Sequence, residues 1–367
     1  MESLKRVFFA VTNDLNSDQR MLRICSTLAA AGYQVHLHGR VLPESRTMTQ
    51  RNFEQTRMRL WFRKGPLFYL EFNIRLFLYA LGEKTDCLSA VDLDTLPAMR
   101  LAAWLRNKPL VYDAHEIFTE VPELLHDGPK KRLWQWVEHF FLPGVRYSYT
   151  VNHSLAQWYA QKHGIHMHVI RNMPFAAQMH TRQSNEGFIL YQGALNAGRG
   201  LEALIAAMPQ LSMPLYLAGK GDVEAQLRAR VVAEGLEKQV FFTGQLDPEA
   251  LRELTAKAWL GVNLLESQSL NYYYSLANKF FDYAQLGVPQ LCMDFPEYSL
   301  LNEAHEVAVL TASIDPQHLA IQIQQLASDP ERYEQLSRNA LVAAKHWTWE
   351  HEAPKLLALY KDVFLRK

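Results

Sequence analysis

Val7–Gly39 reads VFFAVTNDLNSDQRMLRICSTLAAAGYQVHLHG, and the order of its parts decides the fold. Val7–Val11 is an unbroken apolar run that reads as a first β-strand. A polar loop follows, and then Met21, Ile24, Cys25, Leu28 and Ala29 recur at helical spacing until Gly32 ends the helix. Residues 33–39 alternate like a strand again. Strand, helix and strand in this order imply a parallel sheet. Further strands are expected at DCLSA (86–90), PLVYDA (109–114), YSYTVN (147–152) and HMHVIRN (166–172), with a helix at LPAMRLAAWLRN (96–107).

The same grammar restarts at residue 188. Strands FILYQG, PLYLAG, QVFFTG, LGVNLL and PQLCM alternate with helices LEALIAAMPQL, VEAQLRARVVAEG, PEALRELTAKA and NKFFDYAQLG. Met173–Gly187 between the halves lacks periodicity and reads as a linker. The expected architecture is α/β: two Rossmann-like, doubly wound parallel-sheet domains, at 1–172 and 188–345, with a last segment at 346–367. Ligands of such sheets bind beyond the carboxyl ends of the strands, so the loops there are the places to search.

Composition excludes several classes. A chain of 367 residues exceeds what one core usually serves. Formal net charge is zero, which argues against a nucleic-acid binder relying on a basic field. Cys25, Cys87 and Cys292 are far apart and form no CxxC pair, so neither a disulfide framework nor a thiolate metal site is indicated. The first apolar run is too short for a signal-peptide core, and Arg75 breaks FNIRLFLYALG, the best candidate for a membrane span. A cytoplasmic location is expected. Arg57–Leu81 interleaves basic and aromatic residues, a pattern that can rest on anionic lipid or be a buried helix with an exposed loop.

Three loops in the second half suggest a diphosphate. In YQGALNAGRG, Gly193 follows a strand directly while Arg199 and Gly200 open a helix, where an arginine can grip phosphate oxygens, although an ordinary turn with a solvated arginine reads the same way. AGKGD, with Gly219 and Gly221, starts like a dinucleotide fingerprint, but Glu224 replaces its third glycine and the strand is not the first of its half. In SLANKFFDYAQLGVP (275–289), a lysine stands near a helix start, where cations are disfavoured. With Ser275 as N-cap and Leu276, Ala277 and Asn278 in the first turn, free amides and Lys279 would hold an anion, and Asp282 would accept hydrogen bonds from ribose hydroxyls. The alternative is a surface Lys–Asp pair.

NKFFDYAQLGVPQL resembles the helix that often reads PxKxxEYxAxGxPV in the large family of retaining glycosyltransferases with two Rossmann-like domains, the GT-B fold, family 4. LYLAGKGD…VFFTGQLDPEALRELTAKA is similar to that family's donor domain and VYDAHE to its acceptor domain. WTWEHEAPKLLALY resembles its last helix, which crosses back onto the first domain. The resemblance spans nearly the whole chain and implies two domains facing a central cleft. It also implies a metal-independent hexosyltransferase, moving a sugar with retention from a UDP- or GDP-sugar to a carbohydrate or lipid-linked acceptor, in polysaccharide or glycolipid biosynthesis. No cofactor is implied, and no metal is required where side-chain cations hold the diphosphate.

Two departures from the family pattern matter. Of its two glutamates eight positions apart, the second is shortened to Asp282 and the first is Tyr274. In GALNAGRG, Ala194 replaces the family's arginine and Arg199 its lysine. The resemblance implies catalytic roles for His115, Arg199 and Lys279, with His115 beside the transferred sugar. On the acceptor side stand Asn13, Asp18, Arg20, Asp92, Asp113 and Glu116, near strand ends. Asp18 and Asp94 can instead cap the helices that follow them. His166 and His168 would share a strand face, which makes a metal site conceivable. A non-hydrolysing sugar epimerase and a non-catalytic nucleotide-binding assembly subunit are the competing readings.

Overall fold

In a computed structural model the described residues are 4–365, except 17, 44, 126 and 177–186. Most of the segment read as a linker therefore lies outside the described residues. The chain divides into two compact units, 1–172 with 349–367, and 173–348.

The first unit runs β1 (Arg6–Ala10), α1 (Gln19–Ala30), β2 (Gln34–Arg40), β3 (Glu54–Met58), α2 (Gly65–Gly82), β4 (Cys87–Val91), α3 (Asp92–Arg106), β5 (Leu110–Ala114), α4 (Pro122–Leu125), α5 (Gly128–Phe141), β6 (Tyr147–Thr150), α6 (His153–His163) and β7 (His168–Val169). Its parallel sheet is ordered β3-β2-β1-β4-β5-β6-β7. Both faces of β1 are buried, which explains its unbroken apolar run. Val7, Phe9 and Val11 enter the core beneath α1, while Phe8 and Ala10 enter the opposite one, with α2 and α3. A helix from the far end of the chain, Trp349–Leu365, completes the first core. Its Tyr360 ring lies 5.9 Å from that of Phe9 and its hydroxyl bonds Ser89 at 3.1 Å, while Trp349 donates to Thr27 at 2.8 Å.

In the second unit β8 (Ile189–Gln192), α7 (Leu201–Ala207), β9 (Leu215–Ala218), α8 (Glu224–Ala233), β10 (Val240–Gly244), α9 (Pro248–Lys257), β11 (Leu260–Asn263), α10 (Leu270–Tyr273), α11 (Asn278–Gln285), β12 (Gln290–Met293), α12 (Pro296–Ala304), β13 (Ala308–Thr311), α13 (Pro316–Ala327) and α14 (Pro330–Ala344) follow one another. The terminal helix, Trp349–Leu365, is α15. The parallel sheet is ordered β10-β9-β8-β11-β12-β13, the doubly wound arrangement. In each unit the order reverses beside the first strand, so a crevice is expected there, at β1/β4 and at β8/β11.

Two expected helix starts are corrected. α3 begins at Asp92, four residues before Leu96, so Asp94 lies inside its first turn and is not its cap. α11 begins at Asn278, and Ala277, not Ser275, precedes it as N-cap.

Candidate functional site

In the second unit the site is built from the loops after β8 and β9 and the start of α11. The first two loops lie against each other: the Gly193 amide donates to Ala218, Leu195 to Lys220 and Val223 to Leu195, at 2.9–3.1 Å. Gly219, at φ 153°, packs its Cα so closely on Gly193 that a Cβ would overlap the Gly193 carbonyl oxygen, and a Cβ on Gly221 would overlap that of Leu195. Loop packing alone therefore accounts for the glycines that resemble a dinucleotide fingerprint. Gly219→Ala is expected to destabilise the protein by roughly 2–4 kcal/mol, seen as a lower calorimetric midpoint, because both the left-handed backbone and the contact oppose a side chain.

Arg199 precedes the Gly200 cap of α7, and its guanidinium lies 4.8 Å from the centre of the Tyr272 ring. The Arg199 Nε is buried without a hydrogen-bond partner. Lys279 is buried, with Nζ 3.7 Å from the centre of the Tyr191 ring and beside Gly193. Burial first, then the neighbouring Arg199 charge, push the Lys279 ammonium well below the usual lysine range. Among the described residues neither cation has a carboxylate at ion-pair distance. Two cations thus meet at a strand end against aromatic faces, with the Asp282 carboxylate acting on Lys279 from beyond ion-pair distance, an arrangement suited to an added anion.

Asp282, on the next stripe of α11, accepts from Gln192 Nε2 at 3.1 Å, and Gln192 in turn accepts from Thr255 at 2.7 Å. One of its oxygens is therefore held by the end of β8. The helix start differs from expectation. The Ser275 hydroxyl and amide both donate to the Tyr272 carbonyl, and the Ala277 amide donates to the Tyr298 hydroxyl at 3.0 Å. These engaged amides replace the free set expected of Ser275 and Ala277. Leu276 packs against the core, and Asn278 is exposed as the first helical residue. Tyr274 ends α10 with its ring against Tyr273.

In the first unit Arg20, Asp92, Asp113 and His115 come together where β4 and β5 end. Arg20 reaches Asp113 with two nitrogens, at 2.9 and 3.4 Å, and its third donates to the Ile170 carbonyl. His115 Nε2 lies 2.9 Å from Asp113, while Nδ1 lies 3.4 Å from Asp92, whose other oxygen accepts the His115 amide at 2.8 Å. Asp92 adopts φ 57°, a left-handed conformation costly for a side chain that bears a Cβ. Burial opposes ionisation throughout. Even so, Arg20 and His115 hold Asp113 at about 2, and Asp113 and Asp92 raise His115 to about 9. Burial lifts Asp92 to about 6 and Asp94 to about 7. His115 is thus a fixed cation near neutrality. A sugar hydroxyl reaches its ring only by displacing the longer contact, to Asp92.

The remaining acceptor-side candidates separate. Asp18 caps α1 by accepting from Met21 and also takes the Asn13 amide at 3.2 Å, while Asp94 accepts from Thr12 at 2.6 Å. The Glu116 carbonyl accepts from Tyr159, and its charge acts on Asp92. Among the described residues no group of three metal-ligating side chains occurs, and His166 and His168 are both exposed. Sequence reasoning missed Tyr191, Gln192, Tyr272 and Tyr298. The run Tyr272–Tyr274 beside the quoted helix was the available signal.

Two doubly wound parallel-sheet units in series are the GT-B class of fold. A family model for glycosyl transferases group 1 matches residues 173–342, and one for Glycosyltransferase Family 4 matches 18–173. The chain belongs to this family-4 type of glycosyltransferase. Sucrose-phosphate synthase from Thermosynechococcus elongatus superposes with TM-score 0.79 at 17% identity, over 99% of this chain and 100% of that one. Anabaena Alr3699/HepE, solved with UDP, gives 0.74 at 17% identity over 98% and 100%. WaaG, a glycosyltransferase involved in lipopolysaccharide biosynthesis, gives 0.74 at 14% identity over 95% and 98%. At these identities the likeness speaks for the fold. No curated protein sequence matches closely enough to add to it.

Proposed function

We propose that this glycosyltransferase moves a hexosyl group, with retention, from a UDP- or GDP-sugar to a hydroxyl of a carbohydrate or lipid-linked acceptor. The pathway would be polysaccharide or glycolipid synthesis, in the cytoplasm or peripherally at the inner face of the membrane. The observation that carries this reading is the Arg199–Lys279 pair, two converging cations without a carboxylate at ion-pair distance. A diphosphate supplies the missing charge, and its leaving-group negative charge is what such donors stabilise during transfer. Gln192-bound Asp282 would meet the ribose. In the other unit, Asp92 and the His115 cation would orient sugar and acceptor hydroxyls, and the departing diphosphate would take the acceptor proton. No separate cofactor enters this scheme.

Thermal shifts with UDP, GDP and ADP test the donor site, since a ligand that binds only the folded state raises its midpoint. At a concentration of 100 Kd the gain is about 2.7 kcal/mol, and one base should stand out. Acceptor-dependent release of the nucleoside diphosphate then tests transfer. Binding without release would favour an assembly subunit, a reading that Tyr274 at the family's glutamate position supports. Isomerisation of the donor without acceptor would favour an epimerase.

A further inference from the structure

The outward side of α2, α3 and α5 forms a second surface, on the first unit. α2 carries apolar side chains on its outward side as well as against the sheet, its polar residues being Glu71, Asn73 and Arg75. Phe68, Phe72, Leu76 and Ala80 face the sheet, while Leu67, Leu70, Ile74 and Leu78, at i, i+3, i+7 and i+11, are exposed. A helix on a water-facing surface carries polar residues on that stripe. α5 repeats the pattern, with Trp134 turned inward and Leu133, Trp136 and Phe140 outward, the last two rings stacked at 5.6 Å. Between them α3 exposes Trp104 to 75%.

The three helices adjoin. Arg106 of α3 donates to the Ala80 carbonyl of α2 at 2.6 Å, Arg100 of α3 donates to Pro143 just beyond α5, and the Tyr69 and Trp134 rings meet edge to face at 4.8 Å. A patch of this extent is unusual on a protein surface that meets only water.

Charge says what covers it. Ahead of α2, Trp61 (83% exposed) and Phe62 project among exposed Arg59, Arg63 and Lys64. Arg132 is exposed at the start of α5. From 59 to 82 the one carboxylate is Glu71, which is buried, accepts the Trp61 and Phe62 amides and pairs with Arg75. Aromatic and aliphatic side chains rimmed by cations suit an anionic bilayer interface. Two-fold pairing with a second copy would set this cationic rim against itself. Among the described residues no helix is long and apolar enough to cross a membrane, so the contact lies along the surface.

We propose that the α2–α3–α5 surface docks the protein on anionic lipid, with Trp61, Leu70, Ile74 and Trp104 entering the headgroup layer and the Arg59–Lys64 cluster meeting lipid phosphates. The Trp61 loop follows the carboxyl end of β3, on the same sheet edge as Asp92 and His115. A lipid-linked acceptor would therefore present its sugar at that edge. This last step rests on the transferase reading; the docking does not.

The test is flotation of the full chain with vesicles of phosphatidylcholine alone or with phosphatidylglycerol. The triple variant Leu70→Ser/Ile74→Ser/Trp104→Ser and the double variant Arg63→Gln/Lys64→Gln are compared with the native chain. The native protein is expected to bind anionic vesicles at least about tenfold more tightly than neutral ones, and less so as salt is raised. Each variant should lose about tenfold or more, with unchanged circular dichroism and an unchanged UDP thermal shift. Native protein that floats with neither vesicle, or variants that float as well as it does, would overturn the docking. A dimer that the triple variant converts to monomer, without lipid binding, would assign the surface to a second copy. Flotation without a shift from UDP, GDP or ADP would keep the docking and remove the transferase reading.

Discussion

Lys279→Met is expected to raise the thermal midpoint of the ligand-free protein while abolishing its response to nucleoside diphosphate. The lysine is buried, faces the Tyr191 ring and has Arg199 as a like-charged neighbour. Its ammonium has given up water without gaining a carboxylate at ion-pair distance, and the more distant Asp282 offsets this only in part, a state that destabilises the fold. Methionine keeps the length of the chain and removes the charge, so about 1–2 kcal/mol should be recovered, or roughly 2–8 °C for a unit of this size. The sign of the pH dependence follows. A lysine whose folded pKa is depressed makes the unfolded state the better proton binder, so stability in the native protein rises with pH up to the ordinary lysine value. That slope should be absent from the variant. Activity should fall about 10²–10³-fold, the usual effect of removing one group that stabilises a developing oxyanion. A variant less stable than the native protein, or one that still responds to UDP or GDP, would mean that Lys279 fills a structural role. Under this reading stability and function oppose each other, because the buried charge that would hold an anion costs the fold.

What was legible in the sequence was whatever local pattern dictates. Strands buried on both faces, such as Val7–Ala10 and Leu88–Val91, announce themselves as apolar runs. Edge strand β3 reads EQTRM, with one buried face at most and no apolar period, and it passed unnoticed. α3 misled through Pro97, because proline favours a first turn and so points to a start near Leu96. The helix instead begins at Asp92, directly after β4, with Thr95 donating back to the Val91 carbonyl at 2.7 Å. Ser275 misled similarly. Serine before an apolar periodic run is a good N-cap signal, yet its hydroxyl closes the turn after α10 by bonding Tyr272. The group that does bond an amide there is Tyr298, 21 residues from Ala277, and such a partner has no local signature.

The two sites divide in the same way. Arg199 and Lys279 could be singled out because each is an odd charge in its local setting, but that they share one anion-poor place is a property of the folded sheet. His115 was visible as a histidine at a strand end. Its locking as a cation was not, since that needs Asp92, 23 residues earlier in sequence, to meet the ring alongside Asp113.

Asp113→Asn is the change that should reveal that lock. Asp113 is fully buried and answers two cations, so neutralising it leaves Arg20 and His115 desolvated with one weaker partner, Asp92. Removing one member of a buried charged pair typically costs about 3–5 kcal/mol, which for the first unit is a drop of roughly 6–20 °C. His115 itself should then titrate well below about 9, and NMR of its ring Cε1 proton would read that directly. The raised His115 pKa also fixes how the difference from the native protein varies with pH. Stability from the His115–Asp113 pair is fully present below the ordinary histidine value near 6.5 and is lost as pH rises through about 9. Asp92 and Asp94, at about 6 and 7, have finished ionising by then. The gap between native and variant in urea denaturation should therefore narrow between pH 7 and 10, keeping only the part due to Arg20, which stays charged throughout. The buried Cys87 thiol also lowers stability in that range, equally in both proteins, whereas Tyr149, which Asp113 helps to hold protonated, loses less in the variant and adds to the narrowing. A gap constant with pH, or a His115 that titrates near 6.5 in the native protein, would show that the imidazole is neutral at work. It would then be free to accept a proton from a hydroxyl, a different chemistry from the fixed cation that the two carboxylates define.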